Sequence, residues 1–107
     1  MTDDDRDERP NIARLLAIAR AVPVAWRPAP ALTVNAATLR VVNFEGDFSA
    51  FHAHSVDECY VVLEGELTVE IEGGATTKLA AGDAYVVRAG VVHRPSGQPR
   101  ARILLIT

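Results

Sequence analysis

Residues 46–65 of this chain read GDFSAFHAHSVDECYVVLEG and contain His52 and His54, two of the three histidines in the sequence. The third, His93, lies in a second stretch, GDAYVVRAGVVHRP, at residues 82–95. Side chains two residues apart on a β-strand point to the same face, so the first two imidazoles can be directed at one point. Strand pairing then has to bring only His93 to the same point.

Glu58 adds a carboxylate to this group. It stands four positions after His54, across a short turn, at the start of the next predicted strand. Three imidazoles and one carboxylate suit a divalent transition metal such as Fe, Mn, Ni, Cu or Zn better than Mg or Ca, which prefer oxygen shells. An octahedral ion with four protein ligands keeps open positions that admit water, O₂ or a chelating substrate. An HxH pair alone does not decide the matter, because most histidines are surface residues or satisfied core residues.

Beyond residue 30 the sequence has the pattern of short strands separated by turns such as Glu64-Gly65 and Ser96-Gly97. The predicted strands are residues 32–35, 38–44, 48–54, 58–63, 66–72, 76–80, 84–88, 91–93 and 102–106. Short strands without intervening helices predict an antiparallel all-β sandwich or barrel rather than a parallel α/β sheet.

Residues 10–30 are predicted to form a short helix and a proline-rich arm. Asn11 can cap a helix whose apolar residues recur at spacings of three and four, and Pro23 ends it. The apolar stripe consists of Ile12, Leu15, Leu16, Ala19 and Val22. The following stretch, PVAWRPAP, contains three prolines and is expected to run extended, with Trp26 anchoring it to the body.

Residues 1–9, MTDDDRDER, carry five acids against two arginines and supply the whole formal net charge of −3. They are expected to form a solvated, disordered acidic tail. From Pro10 onward the remaining nine of 14 acids balance the remaining nine of 11 basic residues. A body without a basic footprint argues against nucleic acid as a partner.

The length of 107 residues (11.5 kDa) provides for one domain, whose β-sheet body is residues 31–107. No apolar run approaches the ~18 residues of a membrane span and no signal peptide is evident, so a cytoplasmic protein without membrane contact is expected. Cys59 is the single cysteine, which excludes an internal disulfide and a CxxC metal site. Ten arginines against one lysine favour a GC-rich bacterial source.

Two predicted strands are apolar at both alternating positions, ECYVVL at residues 58–63 and ILLI at residues 103–106. Each therefore needs cover on its second face, which the N-terminal helix or another subunit can supply. A homodimer is expected on this ground.

The glycines around the histidines complete a pattern that resembles the cupin superfamily. The matching positions are Gly46, His52, His54, Glu58 and Gly65 for the family's first motif, and Gly82, Gly90 and His93 for its second. Arg88 and Gly97 stand where the family usually has proline and asparagine, at positions that shape a turn rather than bind metal.

The resemblance covers about residues 31–107 and implies a single jelly-roll β-barrel. It implies metal binding by His52, His54, Glu58 and His93. More loosely, the chain resembles small single-domain bacterial cupins often named mannose-6-phosphate isomerase-like, a name from which no activity is inferred.

The expected function is that of a divalent-metal-binding cupin, as a metal-dependent oxygenase, isomerase or lyase of small-molecule metabolism. The alternatives are a non-catalytic module that binds a small ligand and a structural site that ties strands together. Tyr60 shares the parity of Glu58 and is a candidate proton donor, although a structural tyrosine is commoner. Arg88 and Arg94 can hold an anionic substrate at the mouth, although solvated arginines are commoner.

Overall fold

The computed structural model describes residues 7–47 and 49–107, and in these residues the chain forms one antiparallel sheet with one short helix. The elements in chain order are α1 (Leu15–Ala21), β1 (Ala29–Val34), β2 (Ala37–Gly46), β3 (Glu58–Ile71), β4 (Thr76–Ala80), β5 (Ala84–Val87) and β6 (His93–Ile106). Neighbouring strands follow the order β1-β2-β6-β3-β4, and β5 pairs with β3. The all-β prediction with a short N-terminal helix is confirmed.

The sheet is open rather than closed into a hydrogen-bonded barrel. Strand β1 pairs with β2 and strand β4 with β3, and these two outer strands are not joined within the described part of the chain. The central pair is β3 and β6, two strands of 14 residues each. Glu58 and Tyr60 lie at the start of β3, and His93 lies at the start of β6, where it pairs with Ile71 at the other end of β3.

Two expected turns are irregularities inside these long strands. The sequence predicted breaks at Glu64-Gly65 and Ser96-Gly97, whereas β3 and β6 run through both positions. The register between β3 and β6 shifts on either side of Gly65, whose φ is +86°. Glycine in a strand marks a bulge or a close backbone approach as readily as a turn, which explains the error.

The predicted strand at residues 48–54 is wrong. Phe48 lies outside the described residues, and of the rest only His52 makes a β-bridge, with His93. Two residues further on, the His54 carbonyl accepts a hydrogen bond from the Gly90 amide at 2.8 Å. Among the described residues of this segment, a single bridge and one further hydrogen bond to residues 90–93 therefore take the place of a strand.

Helix α1 is shorter than predicted. It begins at Leu15 with Arg14 in the cap position and no side-chain capping bond, so the predicted cap at Asn11 is wrong. Ile12 is 69% exposed, and without apolar contact the first turn has nothing to stabilise it. Val22 is already extended, as expected for a residue that precedes proline.

The core lies on one face of the sheet, and the helix covers the other. Val42 and Phe44 of β2 belong to the core cluster, so the alternating residues Val41 and Asn43 point to the opposite face. Both are nevertheless buried. Helix α1 contacts β2 and β6 there, and its Ala19 is fully buried. The helix thus supplies cover that the two-sided apolar strands require, while the homodimer stays a prediction.

Polar side chains fasten the end of α1 to the sheet. The Asn43 amide donates to the Ala19 carbonyl at 2.8 Å, and the Arg102 guanidinium donates to the same carbonyl at 3.1 Å. Arg102 also donates to the Asn43 side-chain oxygen and to Glu64. These bonds satisfy a carbonyl at the C-terminal end of the helix, where carbonyls lack partners within the helix.

Asn43→Ala should lower the free energy of unfolding by about 1–3 kcal/mol, because it removes a bond to Ala19 and leaves buried polar groups short of a partner. Glu45→Gln on the same strand is the control. It weakens the exposed Glu45–Arg100 ion pair and should cost less than about 1 kcal/mol. Urea unfolding of both variants measures the difference, and equal costs would show that Asn43 does not hold the helix.

Some predictions fall outside what the structure describes or tests. Residues 1–6 of the predicted acidic tail lie outside the described residues; of the rest of that segment, Asp7 and Arg9 form an ion pair. Across residues 7–47 and 49–107 no helix has the length and apolar character needed to cross a bilayer. The cytoplasmic location stays a prediction.

Candidate metal centre

The structure brings His52, His54 and His93 together. One ring nitrogen from each lies within 4.8 Å of the others. The ring centroids are 4.9 Å apart for His52 and His54, 4.6 Å for His52 and His93, and 5.6 Å for His54 and His93. Three imidazoles gathered in this way could hold a metal ion.

Backbone hydrogen bonds between the two histidine-bearing segments fix this arrangement. His52 and His93 exchange a pair of backbone N–H···O bonds, both 2.9 Å long. The Gly90 amide donates to the His54 carbonyl. Since these are main-chain contacts, the three side chains are brought together by the course of the backbone and do not depend on each other.

Backbone carbonyls also set the orientation of two rings. Nδ1 of His52 lies 2.9 Å from the Ala50 carbonyl, and Nδ1 of His93 lies 2.9 Å from the Val91 carbonyl. A carbonyl can only accept, so Nδ1 carries the proton and Nε2 keeps its lone pair. This is how metal-binding histidines are usually held. Sequence reasoning missed both carbonyls, because main-chain acceptors have no signature in the sequence.

Glu58 faces the same space from the first position of β3. Its Oε2 lies 3.5 Å from His54 Nε2 and its Oε1 lies 3.9 Å from His93 Nε2. Ligands that each stand about 2.1 Å from one ion lie roughly 3–4 Å from each other, and these two separations fall in that range. The group of ligand atoms that all lie within 4.8 Å of one another contains the three histidines and does not include Glu58. Glu58 is buried, and an uncompensated buried carboxylate is unfavourable.

Tyr60 is buried beside the cluster, with its hydroxyl 3.2 Å from His93 Nε2. Burial raises the pKa of Tyr60, and the neighbouring Glu58 carboxylate raises it further. The phenol therefore keeps its proton at physiological pH. Because His93 Nε2 carries a lone pair, the Tyr60 hydroxyl is the donor in this bond.

The three histidines differ in exposure. His93 is fully buried, whereas the side chain of His54 is 40% exposed. Burial is the largest cause and lowers the pKa of His93; the Val91 carbonyl opposes it, and smaller effects come from His52 and His54, which lower the pKa, and from Glu58, which raises it. The folded protein thus favours the neutral form of His93, which is the form that binds metal.

The metal-free protein should lose stability as the pH falls below about 6.5. In the unfolded chain His93 takes up a proton near its ordinary pKa, whereas the folded chain resists protonation, so the free energy of unfolding falls as pH decreases. One such proton contributes at most about 1.4 kcal/mol per pH unit. Denaturant unfolding with chelator present, from pH 8 to pH 5, measures the slope.

Above about pH 6.5 the protonation of His93 should no longer change the free energy of unfolding. The carboxylates with lowered pKa, Asp57 and Glu64, act only at more acidic pH, so they do not confound this range. Stability that is unchanged between pH 7 and pH 5 would contradict the prediction.

The two arginines of the second motif are engaged in ion pairs. Arg88 pairs with Asp57 at 3.2 Å. Arg94 pairs with Glu70 at 2.9 Å, and its guanidinium lies 4.1 Å from the centre of the Phe51 ring. Neither arginine lines the cavity described below, so the expectation that they hold an anionic substrate has no support from their placement.

Asp57 braces the two motifs against each other, a role that sequence reasoning missed. One of its carboxylate oxygens accepts a bond from the Ala89 amide at 2.9 Å, and the other accepts from Arg88. The Ala89 amide and then Arg88 lower the pKa of Asp57. The residue that replaces the family's usual proline therefore helps to hold the turn in place through a charge contact.

A cavity of about 420 Å³ opens beside the histidines. Its polar wall contains His52, His54, Glu58 and Tyr60, with Ser49 and Ala50 at the side. The rest of its lining is apolar and includes Trp26 of the N-terminal arm. The volume is within the usual range for small-molecule sites, roughly 300–1,000 Å³.

Comparison with known proteins identifies the family. Residues 41–107 match the cupin domain, which is more than half of the chain. The chain belongs to the cupin family. The resemblance seen in the two motifs is thereby confirmed. Among curated proteins this cupin is similar to the uncharacterized protein YdbB from Bacillus subtilis, with 35% identity over 80 residues, 75% of this chain and 71% of that protein.

Solved structures show the same fold. A cupin-2 domain containing protein from Shewanella frigidimarina has 27% identity and a TM-score of 0.79, with 86% of this cupin and 89% of that chain covered. Protein NMB1881 from Neisseria meningitidis has 23% identity and a TM-score of 0.81, with 89% and 96% covered. The second likeness concerns the fold alone.

Proposed function

We propose that this cupin binds a divalent transition-metal ion through His52, His54, Glu58 and His93 and that it is an enzyme acting on a small organic molecule in the adjoining cavity. The observation that supports the proposal best is the locking of two rings through Nδ1, which leaves Nε2 available beside a buried carboxylate. This donor set fits Fe, Mn, Ni, Cu or Zn.

A bound divalent ion would supply Lewis-acid polarisation or activation of O₂. The protein's own part is to exclude water and to place a proton. The Tyr60 hydroxyl gives its hydrogen bond to His93 Nε2 in the metal-free protein. Once that lone pair is used for coordination, the hydroxyl needs another acceptor, and the candidates are Glu58 and a molecule in the cavity. Tyr60 is therefore the residue that can hold a proton toward the substrate.

A non-catalytic small-ligand module is the second candidate. Apart from the proposed ligands, Tyr60 is the only titratable residue among the described residues that line the cavity. Its raised pKa makes it a poor general base. A binding protein needs no base, so this observation favours the alternative. Turnover of any member of a panel of thiols, enediols, flavonols and keto sugars would decide for the enzyme.

Elemental analysis of tag-free protein purified without added metal tests the binding step directly. We expect close to one equivalent of a transition metal per chain. Adding the metal in 100-fold excess over its Kd should stabilise the fold by about 2.7 kcal/mol, which a thermal melt detects and a chelator reverses.

The ion should be released as the pH falls below about 6, because ligand histidines must be neutral. Full metal content at pH 4, or a melt that neither metal nor chelator moves, would contradict the proposed site. A purely structural site would show the stabilisation but would not bind azide as a further ligand, whereas an open site should bind it.

A further inference from the structure

The apolar part of the cavity wall carries no cationic side chain. Its six residues are Trp26, Pro28, Val42, Phe44, Pro95 and Leu105. In the part of the chain that the structure describes, no lysine or arginine lines this space. A phosphorylated or otherwise strongly anionic substrate would lack a countercharge there, and burial of an unpaired charge is costly.

An aromatic series leads from the N-terminal arm to the proposed metal centre. The Trp26 ring lies 4.9 Å from that of Phe44, and Phe44 meets Tyr60 edge to face at 5.8 Å. The Tyr60 hydroxyl in turn reaches His93. A planar molecule in this space would meet both aromatic rings and the proposed ligands.

Both the backbone and the ring of Trp26 are held in place by contacts with β2. Its φ is +69°, in the left-handed region that bulky residues rarely occupy. Its amide donates to the Asn43 carbonyl at 2.8 Å, and this bond together with the ring contact to Phe44 offsets the backbone strain. Strained residues that are held from two sides cluster at ligand sites.

We propose that the cavity selects a molecule with a neutral, planar apolar body and one chelating oxygen pair, and that Trp26 is the specificity-determining residue. This rests on the proposed function, since the chelating end would face the ion. A divalent ion with the single carboxylate of Glu58 keeps a net charge of +1, which suits a singly deprotonated chelating group. The class contrasts with sugar phosphates, whose bodies are polar and charged.

The test uses Zn²⁺, which has a filled d shell, and three hydroxamic acids that share one chelating group. Benzohydroxamic acid has the neutral aromatic body, acetohydroxamic acid has only a methyl group, and 4-carboxybenzohydroxamic acid has a charged body. We expect the first to bind the Zn²⁺-loaded full chain at least about tenfold tighter than either of the others. Trp26 is the single tryptophan of the chain, so its fluorescence should change as the cavity fills.

Two variants assign the preference to Trp26. Trp26→Ala should remove most of the preference for benzohydroxamic acid while the Zn²⁺ stoichiometry stays the same. Trp26→Phe keeps a ring against Phe44 and should retain the preference. The wild-type comparison of the three acids stands without either variant, so a variant that fails to fold does not remove the test.

The outcomes separate this inference from the proposed function. If Zn²⁺ does not bind to the wild-type chain in calorimetry, the proposed function fails, and the inference fails with it. If Zn²⁺ binds and the three acids bind equally, or the charged acid binds most tightly, the inference alone is overturned. If Trp26→Ala keeps the full preference, Trp26 is not the specificity-determining residue.

Discussion

Replacing His54 by alanine should lower the affinity of this cupin for Zn²⁺ by more than about 100-fold. Loss of an outer-shell partner of a metal ligand typically costs about 10–100-fold, and loss of a ligand should cost more. The substitution is suited to the test because the His54 side chain is 40% exposed. Its backbone carbonyl, which accepts the bond from Gly90, is kept. Calorimetric titration and metal content after dialysis measure the effect.

The control for this variant is Val56→Ala, an exposed residue of the same loop with no ligand atom. It should bind Zn²⁺ like the wild type. Without metal, both variants should unfold within about 0.5 kcal/mol of the wild type, as expected for surface substitutions. A His54→Ala protein with wild-type affinity would remove His54 from the ligand set and weaken the proposed function.

Gly65→Ala should lower the free energy of unfolding by roughly 3 kcal/mol or more. A Cβ at this position would stand 2.0 Å from the Arg100 carbonyl oxygen and 3.1 Å from its carbon, so the backbone of β6 would have to move. The residue's φ of +86° adds the strain that side chains meet in the left-handed region. Destabilisation of this size requires a defined steric conflict of this kind. Denaturant unfolding without metal measures it.

Gly73→Ala separates the two contributions. Gly73 has a similar φ of +69°, but a Cβ there would meet nothing within 4 Å. It should therefore cost only the backbone strain, about 1–2 kcal/mol. The difference between the variants is the cost of forcing β3 and β6 apart. Equal losses of stability in the two variants would show that β3 and β6 can separate without a cost in free energy. That result would contradict the steric conflict expected at Gly65.

The clustering of His52 and His54 could be predicted from the sequence because their spacing is local. His52 and His54 are two residues apart, and Glu58 follows within one turn, so their proximity hardly depends on the rest of the fold. His93 required the motif resemblance, because the backbone bridge that brings it to His52 joins two segments far apart in the sequence. The Ala50 and Val91 carbonyls could not be predicted, because any residue offers a carbonyl.

The sequence predicts the fold less well at two glycines, because a glycine can mark either a turn or a close approach of two strands. Gly65 and Gly97 were read as turns, yet both lie inside long strands where a Cβ would stand 2.0 Å from a backbone oxygen of a neighbouring strand. A glycine in the sequence is compatible with a reversal of the chain and with a close approach of two strands. Only the position of the neighbouring strand distinguishes the two. The loss of the predicted strand at residues 48–54 has a related cause, because period-two alternation does not reveal whether a neighbouring strand is available.

The Trp26 arm precedes the matched residues 41–107, yet it forms part of the cavity wall. The proposed metal ligands, by contrast, all lie within those matched residues, so the proposed ion site and the proposed specificity-determining residue come from consecutive parts of the chain. A chimaera that carries the first 30 residues of another cupin should retain its ion while accepting different molecules. On these proposals, exchange of the segment that carries Trp26 between cupins would alter molecular selection while every proposed ligand is kept.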